Sequence, residues 1–265
     1  PTHPAKPNVL LQAARLQLDH LDDTPAADSL LTLLTARYPN APAADDAAFE
    51  RGRIAILDGR LDDASLAFAG LEDRLRVGDL AERARLERAQ IHFYRGEFES
   101  ALTLAEILTD NTSNDTANDA IALTLLLTEN EGPDSLNTPL RRFSSASLLA
   151  RQGQRLASLD ALDAISADFP THALVDEMAM LRADALRGLN RMDEAAAVLA
   201  SLVADTPNSY LADRAVLALA DVQLAQGDKD AALATLARLL TDYPGSLLVP
   251  DVRQRIRRIR GDAPL

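Results

Sequence analysis

Apolar residues return along this chain at helical spacing. Between Ser209 and Pro244, Leu217, Ala220 and Leu224 fall at i, i+3 and i+7, one stripe of a helix. Gly227 predicts the end of that helix, because glycine takes the left-handed C-terminal conformation without a Cβ penalty. Asp228 reads as the N-cap of a second helix, lined by Ala232, Leu233, Leu236, Leu239 and Leu240. Tyr243-Pro244 closes it, since the residue before a proline is pushed out of the α region. Two helices joined by so short a link lie antiparallel. Each such pair has apolar faces that it cannot cover alone, so neighbouring pairs must stack.

The same pattern is written several times. Small residues recur every 37 positions at Ala146, Ala183 and Ala220. Turn formers follow at Gly153, Asn190 and Gly227, then Ser158, Ala195 and Ala232, then Pro170, Pro207 and Pro244. A fixed period of this size marks stacked supersecondary units. Upstream, Gly52, Gly59, Ala64 and Phe68 form one unit from Ala44 to about Arg76, and Ala89, Gly96, Ala101 and Ala105 form the next, from about Leu80 to Asp110. The first unit fits the register less well, with Arg15 at the small position and Asp22 at the turn. Its predicted helices are Val9 to His20 and a second one started by Thr24 as N-cap, with Pro25 at the first helical position, and ended by Tyr38-Pro39.

The period breaks in the middle, where Ala89 and Ala146 are 57 residues apart. Asn111 to Asn118 is a polar turn cluster, Ala120 to Thr128 predicts a well-buried helix, and Glu129 to Thr138 is a loop around Gly132-Pro133. This region reads either as a degenerate unit that kept its first helix or as an insertion that still packs. Hydrogen exchange there no faster than in the repeats would count against a hinge. The expected organisation is a disordered tail over 1–7, repeats over 8–110, a degenerate repeat or linker over 111–138, and repeats over 139–265. A capping helix ends the last set: Val252, Ile256 and Ile259 make its apolar stripe, and a polar outer face shields the final repeat. Arg253, Arg257 and Arg260 on that outer face read as a solvated face near a helix C-terminus, or as a basic docking patch for an acidic partner or for this protein's own acidic surface.

Composition narrows the partner. The net charge is −13, which argues against nucleic acid, since phosphate neutralisation needs clustered Lys and Arg. Lysine occurs only at Lys6 and Lys229, and Asp outnumbers Glu. A GC-rich genome and adaptation to high salt both produce that skew. The absence of Trp argues against a large aromatic ligand pocket, and the absence of Cys excludes disulfides and thiolate metal sites. No apolar run is long enough to span a membrane. The first residue is Pro1 and not Met, which predicts that an upstream segment has been lost; a removed signal peptide or anchor leaves no trace in this sequence.

No catalytic constellation is legible. His3, His20, His92 and His172 lack partners at zinc-ligand spacing, and the glycines are isolated turn residues, not a phosphate loop. The pairs Asp22-Asp23, Asp45-Asp46 and Asp62-Asp63 fall at helix starts, where they favour the positive end of the dipole. The sequence therefore predicts neither an enzyme nor a metal or other cofactor.

The order small residue, Gly, Ala, Pro, carried by Ala220, Gly227, Ala232 and Pro244, by Ala146, Gly153 and Pro170, and by Ala89, Gly96 and Ala101, resembles the tetratricopeptide repeat. The 37-residue period and the run YPNAPAADDA from Tyr38 to Ala47 resemble the longer bacterial variety found in outer-membrane assembly lipoproteins and coordinators of the Tol-Pal system. The chain departs from the family at Arg51, Arg88 and Arg182, where Leu is usual, and in its aromatics, displaced to Phe49 and Phe143. The resemblance implies an all-α, right-handed superhelical solenoid of antiparallel helix pairs, about six repeats plus a C-terminal capping helix. It further implies a non-catalytic scaffold binding a peptide or helix of a partner protein in a groove lined by first helices, in a periplasmic or cell-envelope setting. Projected onto this register, the groove candidates are Arg53, Gln90, Tyr94, Arg151, Asp184 and Asp221. The alternative is a structural assembly module that stacks with itself or within a larger complex; the oligomeric state stays open.

Overall fold

The computed structural model describes residues 6–109, 115–130 and 137–261. Among them are fourteen helices and no strand: α1 (Lys6–His20), α2 (Thr24–Arg37), α3 (Pro42–Leu57), α4 (Leu61–Leu75), α5 (Asp79–Tyr94), α6 (Phe98–Thr109), α7 (Asp115–Glu129), α8 (Thr138–Arg151), α9 (Arg155–Asp168), α10 (Val175–Gly188), α11 (Met192–Asp205), α12 (Ala212–Ala225), α13 (Lys229–Asp242) and α14 (Val249–Arg260). The chain divides into two compact units, 1–135 with 151–153, and 136–150 with 154–265. In the first, α1 packs on α2, α3 on α4 and α5 on α6, and each first helix also meets the next, α1 with α3 and α3 with α5. Helix α7 lies on α6 and α5 as α5 lies on α4 and α3. In the second, α10 packs on α11 and α12 on α13, with α14 against α13.

One backbone device makes every turn inside a pair. Asp22, Gly59, Gly96, Gly153, Asn190 and Gly227 all have positive φ, between 51° and 83°. The residue after the left-handed one donates its N–H five residues back in five of the six turns: Arg60 to Ala55, Glu97 to His92, Gln154 to Leu149, Arg191 to Leu186 and Asp228 to Gln223, at 2.8–2.9 Å. That is the Schellman closure, which satisfies a carbonyl the helix end would otherwise orphan. Asp22, at the turn position of the first unit where the residue type fits the pattern less well, adopts the shared conformation, which Asp and Asn tolerate better than other side chains.

A second device makes four exits from a pair. Tyr38, Phe169, Thr206 and Tyr243, each before a proline, cap α2, α9, α11 and α13 with φ between −126° and −135° and ψ between 52° and 65°. Steric exclusion by the proline ring drives each out of the α region. Each N–H still bonds the carbonyl four residues back, and each carbonyl accepts from the residue three on, at 2.8–3.2 Å.

Helix starts required three corrections, one of them α7, which begins at Asp115 inside the expected turn cluster Asn111 to Asn118. The cap of α2 is Asp23, whose carboxylate accepts from Ala26 N at 3.0 Å, while Thr24 is already helical. A carboxylate is acceptor-only and suits the exposed N–H groups and the positive helix end. Helix α1 begins at Lys6, not Val9, so Lys6 and Pro7 are helical where a tail was expected: Pro7 is buried and tolerated in the first turn, where no N–H is needed. The rest of that expected tail, 1–5, and residues 110–114 and 131–136, where a turn cluster and a loop were expected, lie outside the described residues. Asp228 caps α13 as expected, accepting from Ala231 N at 2.9 Å.

Small residues set the helix crossings. Ala89, Ala101, Ala146, Ala183, Ala195, Ala220 and Ala232 are fully or almost fully buried. Where Ser158 replaces the alanine of the second helix, its hydroxyl donates to Ala146 O at 2.9 Å, which fixes how closely the two backbones approach. The Gly52 position is tighter still, because a Cβ there would stand 2.6 Å from the Phe68 ring. At the end of the chain, α14 buries Val252 and lays Ile256 and Ile259 on the core built around Leu199, Val216, Leu236 and Leu239. Arg255 donates to Asp221 of α12 at 2.8 Å and pins it there. No helix among the described residues is long and apolar enough to cross a membrane.

Candidate functional site

The most developed polar feature lies in the first unit. Helix α5 carries Arg83, Glu87, Gln90 and Tyr94 at i, i+4, i+7 and i+11, one stripe along a helix. With Phe49 and Arg53 of α3, Thr116 and Asp119 of α7, and Arg151, the first three of these line a hollow of about 650 Å³. The chain places Arg53, Gln90 and Arg151 of the expected groove residues there, with Tyr94 at the end of the same stripe.

Arginines in the hollow are held by neighbours. Arg53 donates to Glu50 Oε2 at 2.6 Å and to Asp19 at 3.0 Å. Arg83 lies over the Phe49 ring, 4.5 Å from its centroid, a cation–π position. Arg151 donates to Glu87 Oε1 at 2.8 Å. Tyr94 is half-buried, and desolvation pushes its phenol up to about 12, with Arg151 opposing and Glu87 adding to the shift.

Two acids at the same place in consecutive repeats, Glu50 and Glu87, differ in how they are satisfied. Glu50 is 2% exposed and has both oxygens filled, Oε1 by Arg15 at 2.8 Å and Oε2 by Arg53. Arg15 also holds Asp46 at 2.9 Å. Glu87 is 8% exposed, and its Oε2 has no hydrogen-bond partner among the described residues. The register explains why. Position 15 becomes Gly52 one repeat later, and position 53 becomes Gln90. The helical pattern alone did not reveal either acid, because Glu scores as a solvent-facing residue; setting the repeats side by side at 37 residues would have shown both.

The other candidates lie in the second unit. Asp184 accepts from Arg187 at 3.3 Å, and Asp221 is bound by Arg255 of the capping helix. Arg253, Arg257 and Arg260 are exposed on α14 and make no ion pair among the described residues. His92 bonds Glu97 at 2.5 Å, and the Asp45-Asp46 pair is taken up by Arg74 and Arg15. No group of three His, Asp or Glu among the described residues could hold a metal ion.

Comparison with known proteins bears on the repeats. Tetratricopeptide-repeat profiles match residues 143–210 and 214–246. No curated protein matches the sequence. Among solved structures, a tetratricopeptide repeat protein from Parabacteroides merdae aligns over 96% of this chain and 99% of its own, at 15% identity and a TM-score of 0.38. The TPR2AB domain of yeast Sti1 in its pHSP90 complex aligns over 97% of this chain and 96% of its own, at 14% identity and a TM-score of 0.41. The profile matches fall on α8 to α13, where the left-handed turn and the pre-proline exit alternate at a fixed period, so this stretch of the chain consists of tetratricopeptide repeats.

Proposed function

We propose that this chain is a non-catalytic scaffold that binds a peptide or helix of a partner protein along the polar face of α3 and α5. The observation that carries this reading is the α5 stripe: Arg83, Glu87 and Gln90 line one hollow, and Tyr94 extends the row. Polar side chains packed that closely, with aromatic and aliphatic stems beside them, favour an extended polypeptide over a small apolar ligand. The 37-residue period and the run from Tyr38 to Ala47 support a place in bacterial cell-envelope assembly. The test is partner capture from the native organism. Arg53→Ala/Tyr94→Ala and Gln90→Ala/Tyr94→Ala should each lose partners that the wild type recovers. The second variant leaves Glu50 both of its guanidiniums, so it reports on binding without disturbing a buried ion pair. Unchanged recovery by a folded Gln90→Ala/Tyr94→Ala protein would overturn the assignment.

Arg253, Arg257 and Arg260, without an ion pair among the described residues, on a chain of net charge −13 favour a second reading, self-stacking through the capping helix. Light scattering would then show concentration-dependent assembly at low salt that dissolves at high salt, whereas a monomer throughout would exclude it.

A further inference from the structure

The difference between Glu50 and Glu87 identifies the chemistry of the ligand. Resting on the scaffold reading above, we propose that Glu87 receives the guanidinium of an arginine side chain presented by the partner polypeptide. The protein supplies its own template one repeat earlier, where the equivalent acid is held between the guanidiniums of Arg15 and Arg53. At Glu87 the register puts Gly52 and Gln90 in their places, and only Arg151 remains. A buried carboxylate oxygen without a donor is costly, and a charge-assisted bond to it is correspondingly strong. The last side-chain bond of Glu has a broad, two-fold torsional profile. A partial turn about it therefore brings Oε2 toward the hollow that Glu87 lines, while Arg151 keeps Oε1. Arg53 and Arg83 do not compete for it: the first is bound to Glu50 and Asp19, and the second is stacked on Phe49.

The experiment is a nuclear magnetic resonance titration of the full chain with N-acetyl-arginine amide and with its neutral isostere, N-acetyl-citrulline amide. The arginine probe should shift the backbone amides of Glu87, Gln90 and Tyr94 and bind roughly tenfold or more tightly than the citrulline probe. Glu87→Gln should erase that preference. Gln90→Arg repeats the spacing of Glu50 to Arg53 and fills the site from within. It should raise the melting temperature and abolish binding of the arginine probe. Equal binding of the two probes to the wild type overturns the proposal, as does an arginine preference that survives in folded Glu87→Gln. If Glu87→Gln does not fold, Gln90→Arg decides: a folded variant that still binds the arginine probe as the wild type does overturns it. Partner capture by Gln90→Ala/Tyr94→Ala is read separately. Capture lost there, together with equal probe binding, removes the guanidinium and leaves the scaffold standing.

Discussion

Gly52 and Phe68 share one space. The Phe68 ring is fully buried and sits 5.3 Å from the Phe49 ring, so it cannot swing away from an added methyl. In the later repeats the glycine becomes alanine and the phenylalanine becomes a leucine or alanine, as in Ala146 with Leu162 and Ala220 with Leu236. Gly52→Ala should therefore lower stability by roughly 1–3 kcal/mol through overpacking, even though alanine is the better helix former. Adding Phe68→Leu should recover part of that loss, a coupling that a double-mutant cycle on denaturation midpoints would measure. Additive effects would mean the two side chains do not compete. Tyr94 gives a second residue-level expectation. Its folded pKa of about 12 stands above the ordinary 10.0 because burial disfavours the phenolate. The folded state thus holds its proton longer than the unfolded chain, and stability present below pH 10.0 is lost as pH rises toward 12. Desolvation shifts Tyr243 upward as well, so phenolate absorbance should show more than one of the four tyrosines titrating late, and Tyr94→Phe should remove the latest step.

At the scale of elements, the sequence was most legible where the backbone demands a particular residue. Gly227, Gly153, Gly59 and Gly96 turn because they can take positive φ, and Tyr243-Pro244 and its equivalents exit because proline forbids the helix from continuing. Asp22 fell at the turn only by register, because Asp at a left-handed position is an exception to the glycine rule and is visible only as one member of a series. Glu50 and Glu87 were missed. Each of these buried acids takes a guanidinium from outside its own helix, Arg15 for Glu50 and Arg151 for Glu87, and no local pattern encodes that. The small positions were read correctly, and the Ser158 bond to Ala146 shows why they must be small. Ala232, fully buried at the equivalent crossing with Ala220, should therefore not accept a larger side chain. Ala232→Leu is expected to cost roughly 1–3 kcal/mol, seen as a clear fall in melting temperature, while a change at exposed Asp230 on the same helix should leave the transition within about 0.5 kcal/mol.

For the whole molecule, stability in a stack of repeats is a sum of neighbour terms, so damage should stay local. The second unit offers the cleanest place to see this, because α14 closes it and contributes one fully buried residue, Val252. The helix is otherwise strongly basic, with Arg253, Arg257, Arg258 and Arg260 facing solvent, and its hold on the core depends on Val252, Ile256, Ile259 and the bond from Arg255 to Asp221. Val252→Asp puts an unpaired carboxylate against Leu236 and Leu239, at roughly 3 kcal/mol. Native-state hydrogen exchange should then speed up most in α14 and α13, less in α12, and little in α10, as each interface passes on only part of the loss. Ile259→Ala, which trims the same face without burying charge, should give the same order with smaller amplitude. Uniform acceleration from α10 to α14 would instead show that this unit opens as a single cooperative body, and the neighbour-by-neighbour account of its stability would have to be abandoned.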